Sequence, residues 1–223
     1  AGNQLVAQRA PVWCRRGAIA LVLVFVVGVS SGILAALRQN SLVDYLTMSV
    51  AMVGISIPNF VAAPLLILLF AIGLGWLPAG GWDGSIGRMV LPAVALSLPM
   101  VAYVARIMRG SMIEALHSSF IRTARAKGMP EREVILRHAL KPALLPVISY
   151  LGPAAAAILT GSVVIERIFT IPGIGSHFVQ GALNRDYTLV MGVVIFYGLL
   201  IILLNYLVDL LYAWLDPRIR YDR

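Results

Sequence analysis

Residues 17–37 read GAIALVLVFVVGVSSGILAAL, 21 consecutive residues without a charge, bounded by Arg16 and Arg38. A helix of roughly 20 apolar residues crosses the hydrocarbon core of a bilayer, so the stretch predicts a membrane span. Four more charge-free runs follow it: 38 residues between Asp44 and Asp83, 17 between Arg88 and Arg106, 24 between Lys141 and Glu166, and 22 between Asp186 and Asp209. The longest is too short for two crossings and a turn. It reads as one span near 45–73, interrupted by Pro58 and Pro64, with an interfacial tail through Trp76, Pro78, Gly80, Gly81 and Gly84. The expected spans are therefore about 17–37, 45–73, 89–107, 143–163 and 188–213.

The whole chain agrees. Of its 223 residues, 60% are hydrophobic and 13% charged, with a mean hydropathy of +0.88. Soluble domains are nearer half apolar and a quarter charged, so a cytosolic domain and a disordered chain are excluded. A single cysteine, Cys14, excludes an internal disulfide framework. A cleaved secretory signal does not explain the first run, which is too long and is followed by four like it. The expected fold class is all-α and integral to a membrane.

Five alternating spans put the two ends of the chain on opposite sides. The side holding the connectors 38–43 and 107–142 and the C-terminal tail carries 12 of the 18 Lys and Arg, counting Arg106 at the connector's edge. The positive-inside rule makes that side cytoplasmic. Segment 1–16 is then external, an awkward position for Arg9, Arg15 and Arg16. The net charge of +8 is topological in this reading, and no nucleic-acid motif accompanies it.

The connector 107–142 reads IMRGSMIEALHSSFIRTARAKGMPEREVILRHALKP. Met112, Ile113, Leu116, Phe120 and Ile121 recur near a helical period. Gly128 offers a helix stop and Pro130 suits the first turn of a new helix. Glu131 and Glu133 favour that helix's positive start, and Arg137, His138 and Lys141 its negative end. The pattern predicts two short helices broken at Gly128-Met129-Pro130, forming either a solvated basic connector or a docking element for a cytoplasmic partner.

The stretch Arg122-Thr123-Ala124-Arg125-Ala126-Lys127-Gly128, with Arg137-His138-Ala139-Leu140 and Leu144-Leu145-Pro146, resembles the cytoplasmic signature of binding-protein-dependent ABC importer permeases. The acidic first position of that pattern is Arg122 here, and the gap to Leu145-Pro146 is longer, as in the peptide and nickel branch. Ser56-Ile57-Pro58, Gly110-Ser111-Met112-Ile113-Glu114, Gly161-Ser162-Val163-Val164-Ile165-Glu166, Ile171-Pro172-Gly173-Ile174-Gly175 and Asn184-Arg185-Asp186-Tyr187 extend the resemblance to the oligopeptide permeases of that family. It covers the chain from about residue 17, which implies an ABC permease domain over 17–223. The family's first transmembrane helix and most of the external segment after it are expected to be missing.

The resemblance implies a type I ABC importer permease with five transmembrane helices in this chain, seated in a bacterial cytoplasmic (inner) membrane among its lipids. It would pair with a second homologous permease subunit, two ATPase subunits and an extracytoplasmic peptide-binding protein. The coupling segment would comprise Arg122, Thr123, Ala124, Arg125, Ala126, Lys127, Gly128, Met129 and Glu131. Small Ala124 and Ala126 would let it approach an ATPase groove, and Arg125, Lys127 and Glu131 would pair with charges there. ATP and magnesium would belong to the ATPases. The sequence has no phosphate-binding Gly-x-x-x-x-Gly-Lys-Ser/Thr, and no metal-ligand neighbour stands beside His117, His138 or His177. The chain is read as non-catalytic, with a dipeptide, nickel or other small-solute permease, a membrane-embedded enzyme or a gradient-driven carrier as alternatives.

Two more groups of residues stand out. The external connector 164–187 is apolar at Phe169, Ile171 and Ile174 around Pro172-Gly173. An apolar loop outside a membrane wants cover, so it re-enters the bilayer or contacts the binding protein or its peptide. Asn59, Tyr150, Thr160 and Ser162 are candidates to line a polar path, and each is equally a helix-packing group.

Overall fold

The computed structural model describes the backbone of residues 2–160 and 163–215, and side chains from Arg15 to Leu210 except those of residues 160–162 and 174. Every regular element among the described residues is helical. Helix α1 spans Gly2–Leu37, α2 Leu42–Ser56 and α3 Asn59–Leu66, the last prolonged by a π-helical stretch, Ile67–Gly73. Helix α4 spans Gly87–His117 and α5 Ser119–Ala126. A short α6, Glu131–Glu133, widens into a π stretch, Val134–Ala139, and continues as α7, Leu140–Thr160. Then come α8 (Val163–Ile168), α9 (Ile174–Leu183) and α10 (Tyr187–Leu215).

Four helical segments are long and apolar enough to cross a membrane: 15–37, 87–117, 131–159 and 187–210. The fifth expected span, 45–73, is a bent pair instead of one helix: the chain bends by 108° between α2 and the helix Asn59–Gly73, a broken span or a re-entrant turn. Ile57 is extended at φ −84°, ψ 116°, and Pro58 follows at ψ 145°. The proline ring clashes with a helical predecessor, so Ser56-Ile57-Pro58 ends α2. Each arm holds 15 residues, about 22 Å of helix, less than a full bilayer core.

Helix α4 is the central element and packs on α1, α2, α3 and α7. Its contact with α1 is closest at two glycines one turn apart. A Cβ on Gly28 would stand 2.7 Å from Val104 Cγ1, and one on Gly32 would stand 2.6 Å from the Ala105 carbonyl oxygen. Glycines four residues apart let two helix backbones approach this closely. Ala20, Val24, Val104, Met108, Met112, Val147 and Ile158 fill the core that α1, α4 and α7 share. Helix α10 packs on α7 and α9 but leaves Met191, Ile195, Leu199 and Ile202 exposed, as a lipid-facing helix does.

The connector 107–142 is mostly not a loop. Helix α4 runs through it to His117, and extended Ser118 at ψ 157° separates α5. The expected break at Gly128-Met129-Pro130 is present, but the helix after it runs without interruption into α7. Pro142 cannot donate to the carbonyl four residues back, His138, and the π stretch Val134–Ala139 lies at that point. The break at Ser118 also divides the expected apolar stripe: Met112 and Ile121 are buried, whereas Phe120 is 47% exposed.

Candidate functional site

Helix α5 is amphipathic and held to the bundle by one face. Ile121 and Ala124, three residues apart, are buried in the core formed by Met108, Met112, Ala115, Val134 and Ala139. Arg122, Thr123, Arg125, Ala126, Lys127 and Gly128 are exposed, and Met129 is half-buried. This corrects one expectation. Ala124 does not offer its small side chain outward, because a 3.6-residue period places it under the helix beside Ile121. Of the two alanines, Ala126 faces out.

The turn after α5 is closed by backbone hydrogen bonds. The Lys127 N–H donates to the Thr123 carbonyl at 3.1 Å and the Gly128 N–H to the Arg125 carbonyl at 2.9 Å. Gly128 has φ +76°, the left-handed conformation that side chains resist. Arg125 reaches across this turn to Glu131. Nε donates to Oε2 at 3.1 Å and Nη2 to Oε1 at 2.6 Å, and the carboxylate raises the guanidinium's pKa above its ordinary value. Within this chain the two charges therefore pair with each other instead of each presenting a lone charge outward. Arg122, Lys127 and Arg132 remain exposed around them, so the surface is basic. Exposed Phe120 on α5 and Leu136 on the π stretch add apolar area.

The opposite end of the bundle is organised around buried groups. Phe169 is fully buried and Ile171 is 6% exposed, packed with Ala63, Leu91, Ala95, Leu96 and Ile165. The expectation that they stand exposed is overturned, because α3 and α4 cover them, with Leu77 and Trp82 of the segment 74–86 packed against the same cluster. The Gly81 N–H donates to the Phe169 carbonyl at 2.8 Å, and a Cβ on Gly80 would meet that oxygen at 2.7 Å. Arg88 holds the covering segment by donating to the Gly80 carbonyl at 2.6 Å and pairing with Asp83 at 2.8 Å. Pro172 is half-buried and Gly173 buried. The side chain of Ile174, the first residue of α9, lies outside the described residues.

Glu166 of α8 ties this end together. Its side chain and that of Arg16 are each 2% exposed and lie 3.6 Å apart. Glu166 Oε2 also accepts from the Ser176 N–H at 3.1 Å, at the start of α9. Burial pushes the Glu166 carboxyl's pKa up against the opposing pull of Arg16. Arg15 donates to the Gly84 carbonyl at 3.3 Å. Arg15 and Arg16 thus have partners, although no local pattern announces a pair 150 residues apart; the side chain of Arg9 lies outside the described residues.

The path candidates are dispersed over several elements. Asn59 opens α3 just after the break, and its Oδ1 is buried without a hydrogen-bond partner. Tyr150 lies in α7, its ring 5.9 Å from that of Tyr103. Thr160 ends α7, with its side chain outside the described residues, and Ser162 lies outside them altogether. Among the described residues no group of His, Cys, Asp and Glu is placed to hold a metal.

Comparison with known proteins follows this geometry. The family model described as the inner membrane component of binding-protein-dependent transport systems matches residues 28–221. The oligopeptide transport system permease protein OppB of Escherichia coli (strain K12) is 60% identical over 220 residues, 98% of this chain and 72% of the relative. OppB of Haemophilus influenzae is 57% identical over the same shares. The dipeptide transport system permease protein DppB of Bacillus subtilis is 47% identical over 99% of this chain and 71% of its own length. A solved inward-facing conformation of the MetNI methionine ABC transporter superposes with a TM-score of 0.77 at 16% identity, covering 96% of this chain and 97% of that one. At that identity the likeness is one of fold.

Proposed function

The chain belongs to the family of binding-protein-dependent transport system inner membrane components, and on that premise we propose that it is a permease subunit of an ATP-driven oligopeptide importer. The substrate class rests on the graded identity, 60% to an oligopeptide permease against 47% to a dipeptide permease. The protein sits in the bacterial inner membrane. A second permease subunit completes the path, an external binding protein delivers the peptide, and two cytoplasmic ATPases bind ATP and magnesium. This chain makes and breaks no covalent bond.

The observation that carries the coupling role is α5, anchored inward by Ile121 and Ala124 and basic on its outer face. That end of the bundle is cytoplasmic in this reading, and the end built on Phe169 and Glu166 is external. The outer face of α5, with Ala126 at its centre and Gly128 fixing the turn, fits a groove on an ATPase. Arg122, Lys127 and Arg132 meet acidic groups there. Because Ile121 and Ala124 lock α5 to α4, a push on α5 moves α4, and a packed interface of this kind passes rigid-body motion between two states.

The test is purification of the assembled transporter from its own membrane. ATPase subunits should accompany the chain, and mass spectrometry should find peptides longer than dipeptides bound in the complex. Uphill uptake driven by a proton gradient in vesicles lacking the ATPases would refute the reading, and a bound metal or dipeptide pool would move the substrate class.

A further inference from the structure

Asp44 in the first turn of α2 is 1% exposed, yet it carries a charge. Both of its oxygens are taken by one guanidinium, Arg109 Nε donating to Oδ1 at 2.6 Å and Nη2 to Oδ2 at 2.6 Å. Oδ2 also accepts the Asn40 N–H at 3.0 Å. Asn40 holds φ +61°, a conformation that Asn tolerates better than most side chains, and Ser41 caps α2. The turn between α1 and α2 is thus folded around a single carboxylate, and that carboxylate is fastened to α4.

The fastening point is specific. Arg109 lies about two helical turns before the end of α4 at His117, beyond which α5 begins. On the same stretch of α4, a Cβ on Gly32 of α1 would stand 3.1 Å from the Arg109 backbone nitrogen. Met108, Met112 and Ala115 of this stretch share a core with Ile121 and Ala124 of α5. So the stalk that carries α5 is gripped by the backbone of α1 and by the α1–α2 turn. A two-bond guanidinium–carboxylate pair fixes direction as well as distance, and the buried Asp44 carboxylate resists losing its partner, the 28% exposed Arg109, because a buried charge left alone is costly.

We propose that Asp44 and Arg109 are positioning residues for coupling, a clamp that makes the α1–α2 turn travel with the α4–α5 stalk in every state of the transport cycle. The inference rests on the reading of α5 as the ATPase contact. The clamp itself touches neither ATPase nor peptide; it acts by keeping α1, α2 and the stalk one rigid body when α5 is pushed. A pair that opened during the cycle would be a gate, with the opposite consequence for a crosslink.

The experiment uses the complete transporter in proteoliposomes, with an isotope-labelled tryptone peptide pool. Asp44→Asn and Arg109→Lys should each raise the ATP hydrolysed per peptide taken up by at least about threefold, the scale of coupling changes along packed networks. The ratio is measured per assembled complex, so lost assembly alone does not count, and an unchanged ratio in Arg109→Lys overturns the clamp. In a Cys14→Ser background, Asp44→Cys with Arg109→Cys should be uncoupled until a short bifunctional thiol reagent joins the pair. The joined protein should then regain uptake and a low ratio. Uptake abolished by the crosslink means that the pair must separate, and overturns the proposal. Crosslinking α5 to the ATPase in the same preparation separates the two ideas. With that contact present and the ratio unchanged, only the clamp fails; with it absent in the parent protein, the coupling reading fails and the clamp fails with it.

Discussion

The Glu166 carboxylate occupies the space that a side chain on Gly173 would need: a Cβ built there collides with Glu166 Cδ and both carboxylate oxygens. The glycine is therefore required by contact, since its φ of −127° is one that any residue adopts. Its neighbour Pro172 and the N-cap position of Gly173 bring the start of α9 against the carboxylate, where the Ser176 N–H donates to it.

Replacing Gly173 by Ala should push the Glu166 carboxylate away from Ser176 and Arg16. Overpacking of a filled site costs of order 1–3 kcal/mol. The matched control is Gly192→Ala in α10, where an added Cβ meets nothing within 4 Å. Thermal unfolding of the detergent-purified complex should fall for the first variant and not for the second. Equal midpoints would remove the packing role from Gly173.

The same contrast applies to the α1–α4 crossing. Gly32→Val would set a branched side chain against the Ala105 carbonyl and the Met108 Cβ, each 2.6 Å from the first added carbon. The helices must separate, so the variant should lower stability by about 1–3 kcal/mol or more. Gly110 lies in α4 with nothing near its Cβ position, and Gly110→Ala should be neutral or raise stability by about 0.4–1 kcal/mol. Resistance to limited proteolysis in membranes reads both outcomes. A Gly32→Val protein as resistant as the parent would show that the crossing tolerates a wider spacing.

How much of this was legible in the sequence follows from the range of each interaction. Local rules found the break at Gly128-Met129-Pro130, and they marked Pro58 and Pro64 alike as interruptions of one span, of which Pro58 ends a helix and Pro64 lies inside α3; a proline or a left-handed glycine acts on its neighbours. They missed the break at Ser118, an ordinary residue whose extended conformation has no strong local cause. Gly28 and Gly32 did carry a readable signal, the four-residue glycine spacing of close helix crossings. Phe169 looked exposed because its cover comes from α3, α4 and the segment between them, more than 70 residues earlier. Asp44 with Arg109 and Arg16 with Glu166 are paired across 65 and 150 residues, and only the fold chooses among the possible partners. The face of α5 fell between these cases. Its period was visible, but which alanine lay beneath depended on where the helix began.

Membrane orientation gives a direct check. On a Cys14→Ser background, a cysteine at Ser118 should react with an impermeant thiol reagent only after the cells are opened, because the proposed orientation, drawn from the Lys and Arg distribution, puts the α5 end in the cytoplasm. A cysteine at Ser85, exposed in the covering segment at the other end, should react in intact cells. The reverse pattern would invert the protein and move the ATPase contact away from α5.

The two alanines of α5 separate anchoring from docking. Ala124 is buried against the bundle, so Ala124→Trp should disturb the core and reduce the amount of folded protein, as large insertions into packed sites do. Ala126 is exposed, so Ala126→Trp should insert and fold normally while its added bulk spoils the fit to the ATPase. Binding-protein-stimulated ATP hydrolysis and peptide uptake should then fall together in a well-expressed protein. Gly128→Val tests the same surface through the backbone. At φ +76° a β-branched residue is strained by about 1–3 kcal/mol, which should shift the turn and with it the Arg125–Glu131 pair. No neighbour lies within 4 Å of that Cβ position, so the effect is conformational and not a clash within the chain. Full uptake by Ala126→Trp and Gly128→Val proteins that still bind the ATPases would take the coupling role away from this turn.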